Sequence, residues 1–248
     1  MNIDLHILTW NESDIITLVL RHYKKFCRNL YVYDNHSTDN TRELAEAEGA
    51  KVTLFGDKFF NDQNNMDVKN NCWRGSDADL VILCDCDEIL ADVWNIFIND
   101  DKVESMVISP LFAEGLTPTA TIFKTIGWQI MSEEMPKEDL LEITNGYRFD
   151  NYSKSIIFNP KEITEINYGP GAHKCNPTGN VVWSDEALYV LHYKHIGGVQ
   201  RTIDRYAKYK KRLSKVNRQK GYGIHYLRTP ASLREEWAQR MTISRPLI

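Results

Sequence analysis

Long apolar runs are absent from the 248-residue chain: no uninterrupted stretch approaches the roughly 20 residues that a helix needs to cross a bilayer. The opening residues, Met1-Asn2-Ile3-Asp4-Leu5, enter a strand pattern directly, without the basic and apolar regions of a secretory signal. Cysteine is sparse. The five present are odd in number and irregular in spacing, which speaks against a disulfide framework and for a reducing compartment. An excess of positive charge is missing too, and a net charge of −4 gives no global reason to bind nucleic acid or an anionic membrane. Glycine never gathers into G-x-G-x-x-G or a P-loop, which removes nicotinamide and flavin dehydrogenases and P-loop NTPases from consideration. What remains is ordinary globular composition, 42% hydrophobic and 26% charged, at a length suited to one large α/β domain or two small ones. The expectation is a cytoplasmic protein.

Against that background one stretch stands out, Asp79-Leu80-Val81-Ile82-Leu83-Cys84-Asp85-Cys86-Asp87-Glu88. The apolar run from Leu80 to Cys84 suits a buried strand of an α/β sheet, and it ends in acid. In an extended chain side chains i and i+2 share a face, so Asp85 and Asp87 are expected to point the same way. Two carboxylates at the carboxyl end of a buried strand suit Mg²⁺ or Mn²⁺, at the edge where open α/β sheets bind ligands. The plain alternative is a pair of solvated loop residues, since 34 acidic residues produce Asp-x-Asp by chance. An EF-hand fails at Leu90, where that loop needs glycine. A haloacid-dehalogenase type of nucleophile motif meets Ile89 at its fifth position. A zinc site from Cys84, Cys86, His173 and Cys175 runs against the alternation, which turns both strand cysteines from the aspartate face.

The first half alternates strand and helix with short connections, the signature of a mostly parallel, Rossmann-like sheet flanked by helices. Strands are predicted at Leu5–Leu8, Leu30–Tyr33 and Lys51–Phe55. A helix with apolar residues from Ile15 to Phe26 is capped by Asn11 or Ser13, and a second helix ends before Gly49. Residues Asn61 to Asn65 read as loop, followed by a short helix over Val68–Gly75. Because crossovers are right-handed, polar strand ends at Thr9, Asn11, Asp34, Asp85 and Asp87 should gather along one edge. Strands are also expected at Met106–Ile108, within Pro118–Pro136, at Ser155–Phe158 and at Leu188–Leu191. An amphipathic helix through Val199, Ile203, Tyr206 and Leu213 follows. From Lys194 to Arg245 basic residues outnumber acidic ones. That reads as a solvated helix face, or as a surface for an anionic acceptor or the inner face of a membrane.

Together these segments resemble glycosyltransferase family 2, with the GT-A fold. Thr9-Trp10-Asn11-Glu12 is similar to the family's T-Y-N-E. Asp34-Asn35-His36-Ser37-Thr38-Asp39-Asn40-Thr41 is similar to its D-D-G-S-T-D-x-T, and Asp85-Cys86-Asp87 to its D-x-D. Lys69-Asn70 stands where the family has Arg-Asn. One bacterial branch is matched further, by K-N-x-C-W at Lys69–Trp73, Gly-x-Gly-x-His at Gly169–His173, His-Tyr-Lys at His192–Lys194 and Gly-x-Gly-x-His-Tyr at Gly221–Tyr226. The chain departs from the family pattern at Asn35, His36 and Lys69.

The resemblance implies a single GT-A domain over 1–248, with a nucleotide-binding half at 1–105 and an acceptor-binding half at 106–248. It implies transfer, with inversion, of a sugar from a nucleoside diphosphate donor, most often uridine-linked, to a hydroxyl of a glycan or lipid-linked glycan. Synthesis of cell-surface polysaccharide or lipopolysaccharide is the setting it suggests. Thr9, Trp10, Asn11, Asp34 and Lys69 would contact the nucleotide, Asp85 the ribose or the metal, and Asp87 the Mn²⁺ or Mg²⁺ directly. His192 is the expected late metal ligand, His173 its substitute, and Lys194 or Lys174 an electrostatic aid. Glu133, Glu134 and Asp185 are the general-base candidates, and Trp128 and Trp183 could stack on a sugar. Two alternatives use fewer of these parts: a metal-dependent phosphotransferase or nucleotidyltransferase, and a non-catalytic nucleotide-sugar-binding protein.

Overall fold

The computed structural model describes residues 1–91 and 119–247. The N-terminal part runs β1 (Ile3–Thr9), α1 (Ile16–Lys24), β2 (Asn29–Asp34), α2 (Thr41–Ala47), β3 (Lys51–Leu54), α3 (Asp62–Asn71) and β4 (Leu80–Asp85). β1 lies between β2 and β4, all parallel, with Thr9 beside Asp34 and Leu8 beside Asp85. The polar ends of three strands therefore meet at one edge, as the alternation predicts. The unbroken apolar run of β4 follows from covered faces on both sides. Leu80, Ile82 and Cys84 join the core that holds Tyr23 and Val32, while Val81 and Leu83 join a second core with Trp73 and Phe158.

The chain continues through β5 (Glu88–Ala91), β6 (Ile122–Met131), β7 (Asn145–Arg148), β8 (Ile157–Phe158), β9 (Ile163–Glu165), β10 (Thr178–Gly179) and β11 (Trp183–His195). It ends in α4 (Gly198–Arg212), α5 (Lys215–Lys220), α6 (Pro230–Ile243) and β12 (Arg245–Pro246). One ten-stranded sheet gathers most strands in the order β12-β7-β6-β8-β4-β1-β2-β3, with β11 pairing β6 and β5. The long ladders are parallel, including β6 with β11, whereas β5, β7, β8 and β12 add short antiparallel pairs. The result is a mainly parallel central sheet flanked by helices.

Several local expectations need correcting. The Asn-rich run at 61–65 is helix, not loop: α3 begins at Asp62, with the Asn61 side chain accepting from the Gln63 N–H at 3.1 Å as its cap. Neither Asn11 nor Ser13 caps α1; its first amides, Ile15 and Ile16, turn back to the Glu12 carbonyl. β11 is far longer than Leu188–Leu191, because β5 and β6 pair along it. β8 keeps only the last two residues of Ser155–Phe158. The expected strand at Met106–Ile108 and the boundary at 105/106 lie outside the described residues. All five cysteines are free, and no described helix is long and apolar enough to cross a membrane.

Candidate active site

At the carboxyl edge of β1, β2 and β4 a cleft of about 370 Å³ opens, roofed by α4 and the turn at Ile224–Leu227. Its floor begins with two interlocked loops. Asn11, in the left-handed region at φ 52°, donates its N–H to Ser37 Oγ at 2.8 Å and accepts from the Thr38 N–H at 2.7 Å. Glu12 donates its N–H to Thr41 Oγ1 at 2.8 Å. Asp34 is fully buried and accepts from the Ser37 N–H at 2.8 Å, so it shapes its loop from below. His36 also adopts a left-handed backbone, φ 59°, where the family sequence has glycine. Thr9, Trp10 and Asn35 face the cleft itself. Arg212 of α4 stacks its guanidinium 3.8 Å from the Trp10 ring and donates to the Asn35 carbonyl and side-chain oxygens at 2.9 and 2.6 Å. That contact ties the C-terminal helix to the second loop.

The acidic end of β4 faces the same space. Asp85 receives Lys69 Nζ at 2.7 Å and Lys154 Nζ at 3.1 Å, one on each oxygen. Burial opposes its charge, but the two ammonium groups outweigh this and hold the carboxyl well below the usual range. Lys154 also pairs with the fully buried Glu88, whose other oxygen accepts the Asp85 N–H at 3.2 Å. Arg205 of α4 bridges Asp87 at 3.0 Å and Glu12 at 2.7 Å. Burial at Asp87 is likewise outweighed by its neighbours His192, Arg205 and Lys194, and the carboxyl stays below its ordinary value. At Glu12 burial wins despite Arg205 and pushes the carboxyl up to about 8.

The opposite wall is β11. His192 Nε2 stands 3.7 Å from Asp87 Oδ1, and its ring stacks on Tyr152 at 3.8 Å between centroids. Its tautomer follows from Gln129, whose amide nitrogen donates to the carbonyls of Ile130 and His192. The amide oxygen is then the acceptor left for His192 Nδ1 at 2.9 Å, so Nδ1 carries the proton and Nε2 presents a lone pair. Burial drives the His192 pKa down to about 3 and keeps the ring neutral. A neutral imidazole whose far nitrogen is locked by a hydrogen bond, facing a carboxylate, has the form of a metal-ligating pair. Two residues on, Lys194 lies between the Tyr206 and Tyr226 rings, 4.8 and 4.7 Å from their centroids, and burial lowers it to about 7. His173 also lines the cleft, with its ring against Gly171, where a Cβ would clash at 2.6 Å.

Of the residues singled out in the sequence, Thr9, Trp10, Lys69, Asp85, Asp87, His173, His192 and Lys194 therefore share one cleft. Asn11 and Asp34 are not in its lining; both brace the loop after β2, and Asn11 borders a smaller neighbouring pocket with Trp10 and Glu12. Among the described residues no three His, Cys, Asp or Glu side chains form a self-sufficient metal site. Asp87 and His192 fit as a two-ligand site, whereas both oxygens of Asp85 are already engaged. Glu133, Glu134 and Asp185 are exposed and outside the cleft lining; Glu133 accepts instead from the Trp237 indole at 2.9 Å. Lys174 is exposed, Trp128 is buried in the main core, and Trp183 lies on the surface, so none of these three reaches the cleft.

Neither a family model nor a curated protein matches the sequence. Parts of solved structures do. Glucosyl-3-phosphoglycerate synthase from Mycobacterium tuberculosis, in complex with Mn²⁺, UDP and glucosyl-3-phosphoglycerate, is 22% identical over 36% of this chain and 34% of its own, with a TM-score of 0.29. The same enzyme with Mn²⁺, UDP-glucose and phosphoglyceric acid matches at 17% identity over 51% and 44%, TM-score 0.34. Mannosyl-3-phosphoglycerate synthase from Rubrobacter xylanophilus matches at 16% over 54% and 41%, TM-score 0.31. The matched region is less than half the length of each of these enzymes.

Lys154, Arg205, Arg212, Gln129 and Tyr152 are the cleft and support residues that sequence reasoning passed over. Lys154 and Tyr152 stand just before the strand expected at Ser155–Phe158, in a stretch to which the sequence pattern assigns no element. Arg205 and Arg212 were submerged in a basic helix with a plain solvated reading. The signal for them was available only weakly: on α4, Arg205 and Arg212 stand seven apart, hence on one face, together with Tyr209.

Proposed function

We propose that the chain is a glycosyltransferase of the GT-A kind, dependent on Mn²⁺ or Mg²⁺, that moves a sugar from a nucleoside diphosphate donor to a hydroxyl acceptor. The observation that carries this reading is the convergence of Asp87 Oδ1 and the His192 Nε2 lone pair in a cleft that both N-terminal loops border. A uridine-linked donor, inversion at the sugar, and a glycan or lipid-linked glycan acceptor in surface-polysaccharide synthesis are the finer parts of the proposal. They rest on the motif resemblance.

A divalent cation held by Asp87 and His192 would neutralise the charge that grows on the leaving diphosphate. The chain's own residues do the rest. Arg205 fixes the second oxygen of Asp87, leaving Oδ1 as the one that faces the imidazole. Lys194, whose described contacts are aromatic faces, is available to donate to a diphosphate oxygen. Trp10, backed by Arg212, offers a flat wall for the nucleoside, and Lys69 holds Asp85 beside it. With Glu133, Glu134 and Asp185 outside the cleft, the proton acceptor for the attacking hydroxyl is better sought among Glu12 and Asp62. Both line the cleft, and burial raises both carboxyls, Glu12 to about 8 even against Arg205, which makes each more basic than an ordinary carboxylate.

The test is incubation with a panel of nucleotide sugars and Mn²⁺, following release of nucleoside diphosphate. One donor should be slowly split to nucleoside diphosphate and free sugar, and Asp87→Ala should abolish this. Release of inorganic phosphate or of nucleoside monophosphate from the panel would point to the phosphotransferase or nucleotidyltransferase alternative. Turnover of no donor, with metal-independent nucleotide binding, would reject the proposal in favour of a binding protein.

A further inference from the structure

Three carboxylates within four residues, Asp85, Asp87 and Glu88, next to an imidazole are enough ligands for two divalent cations side by side, the arrangement of two-metal phosphoryl chemistry. The fate of each oxygen decides against it. Asp85 Oδ1 is taken by Lys69 at 2.7 Å and Oδ2 by Lys154 at 3.1 Å. Glu88 Oε1 is ion-paired to Lys154, and Oε2 accepts the Asp85 N–H at 3.2 Å. Asp87 Oδ2 is held by Arg205 at 3.0 Å. Of these six oxygens Asp87 Oδ1 alone has neither a hydrogen bond nor a lysine or arginine partner, and it lies 3.7 Å from His192 Nε2, with the Lys154-paired Glu88 Oε1 at 4.0 Å.

Lys154 is no loose surface lysine that happens to reach in. Its side chain is 3% exposed, and its carbonyl accepts from Thr125 Oγ1 of β6 at 2.6 Å and from the Ile156 N–H at 2.9 Å. Its own N–H donates to the Tyr152 carbonyl at 2.8 Å. An ammonium group buried to this degree is tolerated only against ionised partners, and Asp85 and Glu88 provide two. With Lys69 they make a locally neutral set, two carboxylates against two ammonium groups. The Lys154 Nζ atom thus occupies the space between Asp85 and Glu88 that a second cation would need.

We propose that Lys154 is an internal counter-cation that closes Asp85 and Glu88 to metal, so that the acidic strand end takes a single divalent cation through Asp87 and His192. The inference rests on the metal-site reading given above. It is a claim about what the site refuses, and Lys154 is the residue that sets this selectivity.

Mn²⁺ uptake followed by the electron paramagnetic resonance signal of free Mn²⁺ tests it without any turnover. The wild type should take up one Mn²⁺ per chain in the presence of UDP, and bind Mn²⁺ alone weakly. Lys154→Met, of similar shape but without charge, should bind Mn²⁺ alone roughly tenfold or more tightly than the wild type, and take up two per chain with UDP. Lys154→Arg should behave as the wild type. Folding of each variant is checked by circular dichroism. Unchanged Mn²⁺ uptake by a folded Lys154→Met would overturn the proposal. If that variant does not fold, the wild-type stoichiometry decides: one supports the proposal, and two overturns it while leaving the glycosyltransferase reading intact. No Mn²⁺ uptake by the wild type even with UDP would instead sink the underlying metal-site reading.

Discussion

His6 sits in the middle of β1, buried, stacked on Tyr31 at 4.9 Å and Tyr33 at 5.9 Å, with Nδ1 3.1 Å from the Tyr33 hydroxyl. Burial lowers its pKa from 6.5 to about 4, with Asp4 opposing. A base whose folded pKa lies below its unfolded value binds fewer protons when folded. Its contribution is therefore complete above pH 6.5 and is lost as the pH falls toward 4. The loss should reach about 3 kcal/mol. His6→Gln should flatten the fall of the urea midpoint across that window, and an unchanged slope would refute the assignment. Gln129 makes a different case. It sets the His192 tautomer through its amide oxygen, so Gln129→Leu should weaken Mn²⁺-dependent nucleotide binding by roughly 10–100-fold. Retention of full affinity in titration calorimetry would refute that role. Asp85 and Asp87 were legible as the acid that follows an apolar run, and His192 was named through the family resemblance. Gln129 was not, because its meaning lies in the register that sets it beside His192 across β6 and β11. No property of Gln129 within its own strand announces that neighbour.

At the scale of elements, β4 and α4 carry the site between them. Ile82 is fully buried in the main core in the middle of β4, and Ile82→Ala should cost roughly 2–5 kcal/mol in chemical denaturation. A loss within a few tenths of that of a surface alanine substitution would mean β4 is not the central strand described. α4 is latched by Arg212 to Trp10, to the Asn35 oxygens and to the Lys58 carbonyl at 2.8 Å. Arg212→Ala should destabilise by roughly 1–3 kcal/mol and weaken nucleotide binding, because buried acceptors lose their donor. A variant with native stability and native affinity would show the latch to be idle. The βα alternation was readable because its apolar period changes cleanly between 2 and 3.6. α3 was readable only in its last turn, within the helix expected over Val68–Gly75: Asn and Asp dominate its first half, weak helix formers whose turn-like composition hides a helix held by a cap and by Asp62 pairing with Asn217 at 2.7 Å.

For the whole molecule, the decisive feature is that strands from both ends of the chain join one sheet, with β11 reaching back to β5 beside the acidic turn. His192 therefore lies opposite Glu88 in the ladder although more than a hundred residues separate them in sequence. The resemblance pointed to His192 as a late partner of the acidic pair, but the β5–β11 pairing that sets it there was not foreseen. The placement of Lys154 and Arg205 was not foreseen, since each is meaningful only once β8 and α4 have docked. The most direct measurement is the affinity of UDP with and without Mn²⁺ by titration calorimetry, on the wild type, Asp87→Ala and His192→Ala. Strong binding only with Mn²⁺, lost in Asp87→Ala and weakened in His192→Ala, is the predicted result. Equal affinity with and without the cation, or binding that survives Asp87→Ala unchanged, would contradict it.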